Sequence, residues 1–195
     1  MSAIKRQAGF TLIEVLIAMV MVVILAVLLG KVTIDGFTRY QYLQYQANGS
    51  ADLSDILNRL SKVIRGTTSI DTAGTNNLTL YGYFVPQDVT VDKIRYFVSG
   101  TALKVGVTKP TGTAPNYTYP AGNEVVTVIT NNLTTSPNPI FTYFDDSGNQ
   151  LPNGFANSQI KQIGIYLSYN PSPHYLHINI STGTRVTLRN MKTNL

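Results

Sequence analysis

The sequence contains no cysteine and no tryptophan. Without thiols there is no disulfide, no zinc–thiolate site, no iron–sulfur cluster and no cysteine nucleophile. Cysteine-free chains also occur in oxidising compartments, so the absence assigns no location. Charge is sparse: 13% of residues are charged against 44% apolar, which excludes a disordered polyelectrolyte. The patterns of common catalytic sites are missing too. There is no G-x-S-x-G, no Walker loop, no dinucleotide glycine pattern and no H-E-x-x-H. The two histidines, His174 and His177, lie three apart on an expected strand, where they face opposite sides and cannot share a metal. We therefore expect no enzyme activity, no cofactor, no small-molecule substrate and no resident metal.

What the chain does have is concentrated at its start. Residues 10–29 read FTLIEVLIAMVMVVILAVLL, apolar except for Thr11 and Glu14. At ~1.5 Å per residue such a helix spans about 30 Å, the thickness of a bilayer's hydrocarbon core. A secretory signal has a shorter apolar region followed by a small-residue cleavage site. Here Gly30 leads straight into Lys31. Lys5 and Arg6 precede the run and a long polar segment follows, so the charge rule keeps the leader in the cytoplasm and places the residues after Lys31 outside. The net charge of +5 includes Lys5 and Arg6; without them 13 basic side chains face 10 acidic ones.

A carboxylate inside an apolar helix costs at least a few kcal/mol, so Glu14 marks a functional contact. In a dry helix bundle it needs a positive partner. A cut between Gly9 and Phe10 creates an α-amino group one helical turn before Glu14. The same amino group on a neighbouring subunit, offset along a filament axis, would neutralise it.

The string Gly9-Phe10-Thr11-Leu12-Ile13-Glu14-Val15-Leu16, behind a basic leader and within a long apolar run, resembles the processing signature of type IV pilins and type II secretion pseudopilins. The resemblance implies that a membrane aspartyl peptidase cuts after Gly9 and N-methylates Phe10, and that Glu14 is the fifth residue of the mature chain. In this chain Gln7 and Ala8 separate the basic pair from Gly9, where a basic residue often stands directly before the glycine. An ordinary membrane anchor with a chance glutamate would instead remain uncut and be indifferent to Gly9.

Further on, Leu53, Ile56, Leu57, Leu60, Val63 and Ile64 form a helical stripe, and Gly66 ends it. Ala47-Asn48-Gly49-Ser50 predicts a kink or break. After residue 66 the period becomes two. Strands are expected at Asn77–Val85, Lys93–Ser99, Ala102–Thr108, Glu124–Thr130, Ile140–Phe144, Gln159–Tyr169, His174–Ser181 and Arg185–Leu188, with a hairpin turn at Gly100-Thr101. This order predicts an α+β fold: a long N-terminal helix, membrane-spanning in its first half, packed on an antiparallel sheet. The expected divisions are a leader at 1–9, a membrane and assembly helix at 10–30, a helix continuation at 31–66 and an outer β-rich domain at 67–195.

The second half is similar to a narrower group, the J-type minor pseudopilins and W-type minor pilins. Four short features carry this: Ile64-Arg65 before Thr68-Ser69-Ile70, Phe141 to Asn149 as an F-x-Y-x-D-x-x-G hairpin, Ile160-Lys161-Gln162-Ile163, and Thr187-Leu188-Arg189-Asn190. The resemblance implies a low-abundance subunit that starts or caps a filament. Its partners would be other pilin or pseudopilin subunits, a prepilin peptidase, an inner-membrane assembly platform and membrane lipid. The alternative is a membrane-anchored binding module, an adhesin or DNA-uptake receptor behind a pilin leader. Arg185, Arg189 and Lys192 form a small basic terminus that would suit phosphates, with tyrosine rings to stack on single strands, but the charge excess is mild and DNA is the less favoured partner. Asp145, Asp146 and Asn149 around Gly148 read either as a hairpin turn or as oxygen ligands for a cation, and the turn reading is preferred.

Overall fold

The computed structural model describes residues 9–134, 138–171 and 179–189. Helix α1 runs without interruption over Leu12–Arg65. Its ends suit the helix dipole, with Glu14 in the first turn and Lys62 and Arg65 in the last. The chain divides between Gln44 and Tyr45 into two compact units. In the first, the apolar residues from Phe10 to Leu43 are exposed, Leu12 at 85%. This is the one helix among the described residues long and apolar enough to cross a membrane.

The second unit begins with the rest of α1. Leu53, Leu57, Leu60 and Ile64 recur at helical spacing and are buried, while Asp52, Asp55, Arg59 and Lys62 point to solvent. Each such burial contributes about 2 kcal/mol. The helix packs on an antiparallel five-stranded sheet, β1 (Ser69–Ala73), β2 (Asn77–Gly82), β3 (Asp92–Ser99), β4 (Ala102–Thr108) and β5 (Val125–Thr130), in sequential order. A second, three-stranded sheet joins β6 (Phe141–Phe144), β7 (Gln162–Tyr169) and β8 (Ile180–Thr187). The fold is thus α+β, with two antiparallel sheets where one was expected.

Register follows the alternation. Leu78 and Leu80 of β2 lie opposite Tyr96 and Ile94 of β3, and Tyr96 lies opposite Val105 of β4. These cross-strand pairs share the core with Leu53, Leu57, Leu60 and Ile64. In the second sheet Phe141 faces Ile165, and Ile163 stands between Tyr143 and Val186. The β1–β2 turn links the sheets: Thr75 O accepts the Phe141 N–H at 2.9 Å and Gly74 O accepts the Tyr143 hydroxyl at 2.7 Å.

The break expected near Gly49 does not occur. Gly49 is buried within the helix, and a Cβ there would lie 2.6 Å from Ile180 Cδ1 and 3.2 Å from Pro171 Cβ. The glycine serves close approach between helix and β8, and the packing offsets its roughly 1 kcal/mol helical disadvantage. Strand β1 was not foreseen. Its carbonyl edge is covered by the Asn157 amide, which donates to Ile70 O at 3.2 Å and Asp71 O at 2.9 Å. Strand β8 takes in residues 180–181 and 185–187 of the strands expected at 174–181 and 185–188 and joins them through 182–184, while residues 174–178 lie outside the described residues.

Candidate processing and assembly site

Thr11 sits at the N-cap of α1 and Glu14 at its third residue. The Glu14 N–H donates to Thr11 Oγ1 at 3.3 Å, and Glu14 Oε2 accepts from the Thr11 N–H at 3.4 Å and hydroxyl at 3.5 Å. This is a capping box, in which side chains at the two positions satisfy backbone donors that a helix start leaves orphaned. Val15 N–H then opens the helical ladder on Thr11 O at 3.2 Å. The sequence carries this signal as T-x-x-E, which gives Thr11 a role that the apolar run alone does not reveal.

The box has a direct bearing on a cut after Gly9. Its donors belong to Thr11 and Glu14, so both survive removal of the leader. The bond between Phe10 and Thr11 also survives, and the new amino group would stand one residue before the cap. Among the described residues only Oε2 of Glu14 has a partner, so Oε1 is free to accept from a further donor. Phe10 is 83% exposed, and nothing lies within 4 Å of a Cβ built on Gly9. The described fold therefore does not demand glycine at position 9, and a requirement for it must arise in recognition by another protein. Lys5 and Arg6 lie outside the described residues.

The other candidate positions have local roles. Asp145 Oδ1 accepts the Asn149 N–H at 2.8 Å, and Oδ2 accepts the Asn149 side-chain amide at 3.2 Å. Asp145 N–H donates to Asn149 O at 3.0 Å, and Gly148 turns the chain at φ +82°. The hydrogen bonds from Asn149, the backbone one first, hold the Asp145 carboxyl below the ordinary carboxylate range. Both its oxygens thus serve the hairpin. Among the described residues no three His, Cys, Asp or Glu side chains gather where they could hold a metal. Arg185 lays its guanidinium on the Phe144 ring, 3.6 Å from its centroid. His174, His177 and Lys192 lie outside the described residues.

Comparison with known proteins bears on the first of these sites. No curated protein matches the chain. Residues 4–30 match the prokaryotic N-terminal methylation motif, a span that contains Gly9, Phe10, the Thr11–Glu14 box and the whole apolar run. The chain therefore carries, at its N-terminus, the methylation signal of type IV pilins and pseudopilins.

Proposed function

We propose that this protein is a minor pilin or minor pseudopilin, a structural subunit that helps to start or cap a type IV pilus or type II secretion pseudopilus. The observation that carries the reading is the methylation motif on an exposed apolar helix with one carboxylate, Glu14, in its first turn. A prepilin peptidase removes residues 1–9 and methylates Phe10. The apolar helix holds the subunit in the membrane, with residues 31–66 continuing it and the β-rich part outside. In the filament, Glu14 accepts the α-amino group of a neighbour's Phe10, and the apolar faces bundle. The work is assembly, not catalysis, and the partners are other pilin-type subunits and an inner-membrane platform.

The minor role and the J-type or W-type grouping rest on the outer domain. The Phe141–Asn149 segment folds as β6 and a turn that returns at Gln150, which supports the grouping. Deleting the β-rich domain tests the role. Under this reading filament number falls at least severalfold, and the intact subunit is found in sheared filaments at a small fraction of the major subunit. Unchanged filament number with the subunit confined to the membrane would favour an anchored binding module instead.

A further inference from the structure

Asp92 opens β3 and is 1% exposed, yet no donor reaches either of its carboxylate oxygens at hydrogen-bonding geometry. A buried unpaired carboxylate is among the costliest features a fold can carry, and it calls for a partner. The groups that face it are few. Asp88, from the 83–91 loop, presents a second carboxylate to it. Lys109, just after β4, donates to Asp88 Oδ1 at 3.1 Å, while Asp88 Oδ2 accepts the Val85 N–H at 3.1 Å. Tyr119 covers the same corner, its hydroxyl donating to Val91 O at 2.8 Å and its ring set edge-on to Tyr81. Two carboxylates thus share one ammonium, and that ammonium belongs to a side chain 71% exposed.

We infer that Asp92 and Asp88 form a binding site for a single hard divalent cation, calcium, which displaces the Lys109 ammonium. The donors are oxygens alone, without histidine or cysteine, which selects calcium or magnesium over transition metals. Asp92 is almost wholly dehydrated, and calcium gives up water more readily than magnesium does. Two carboxylates supply the charge, and carbonyls of the 83–91 loop with water complete the shell. With so few charged ligands the affinity falls in the range of extracellular modules, Kd about 10⁻⁴ to 10⁻³ M. The exposed Lys109 side chain can swing to solvent as the cation enters.

The test is calcium titration of the full chain in detergent after chelator treatment, followed by calorimetry and thermal unfolding. At pH 7.5, 10 mM calcium is expected to raise the melting temperature by about 3–8 °C. Magnesium is expected to give a smaller rise. Asp92→Asn abolishes the response. Lys109→Gln, a surface change, tightens calcium binding severalfold because it removes the competing ammonium. No response at 10 mM calcium, an equal response in Asp92→Asn, or weaker binding in Lys109→Gln would each overturn the site. An equal response to magnesium would overturn the assignment to calcium. None of these readouts depends on filament assembly.

Discussion

Replacing Glu14 by alanine is expected to leave membrane insertion and leader removal close to normal while cutting incorporation into filaments at least tenfold. The two effects separate because the proposed function gives Glu14 a second role beside its place in the cap. Within its own chain it closes the capping box with Thr11 through contacts of 3.3–3.5 Å. Those are long and exposed, and their loss costs the helix about 0.5–1 kcal/mol. Between chains it is asked to neutralise a buried α-amino group. Removing one member of a buried pair costs about 3–5 kcal/mol, and each 1.4 kcal/mol is tenfold in an equilibrium. Thr11→Ala separates the roles, since it weakens the cap and spares the carboxylate. Quantitative immunoblotting of sheared filaments should therefore show Glu14→Ala far below Thr11→Ala. Equal losses in the two variants would reduce Glu14 to a helix cap.

The second large effect is expected in the β-rich domain. Phe141 is 1% exposed, sits on β6 opposite Ile165, and its backbone N–H bonds the β1–β2 turn. Its ring belongs to the core that also holds Leu53, Leu57, Leu60 and Ile64 of α1. Truncation to alanine removes a large buried surface and leaves a cavity, at a cost of about 3–5 kcal/mol. Against a total of ~5–15 kcal/mol that is a severe loss. The urea midpoint of the detergent-solubilised chain, followed by tyrosine fluorescence in the absence of tryptophan, should fall by about 1 M or more. Val125→Ala on β5, where the side chain is 68% exposed, should move it by less than ~0.5 M. Comparable shifts in the two variants would contradict the assigned core.

Some features were legible in the chain because local chemistry alone decides them. A long apolar run makes a helix in any apolar setting, and period-two alternation at Lys93–Ser99 and Ala102–Thr108 yields β3 and β4 within a residue. Gly9, Phe10 and Glu14 were legible as a motif. Other features depend on partners distant in sequence. Ala47-Asn48-Gly49-Ser50 has the propensity of a break, and Ile180 and Pro171 overrule it. The segment Ser69–Ala73 lacks apolar alternation, and it is a strand because β2 and Asn157 supply its hydrogen bonds. The division into two sheets rests on Phe141 and Tyr143 meeting the 74–76 turn, contacts that span almost 70 residues. Asp92 reads in sequence as an ordinary polar residue before a strand. Only the folded chain shows that it is buried beside Asp88.

The account rests on processing at Gly9–Phe10, and the mature N-terminus tests it most directly. Intact mass and terminal sequencing would be compared with the matching prepilin peptidase present and absent. A peptidase-dependent chain that begins at N-methylated Phe10 and lacks residues 1–9 is expected. A chain that still begins at Met1 or Ser2 beside an active peptidase would contradict it and leave a plain membrane anchor.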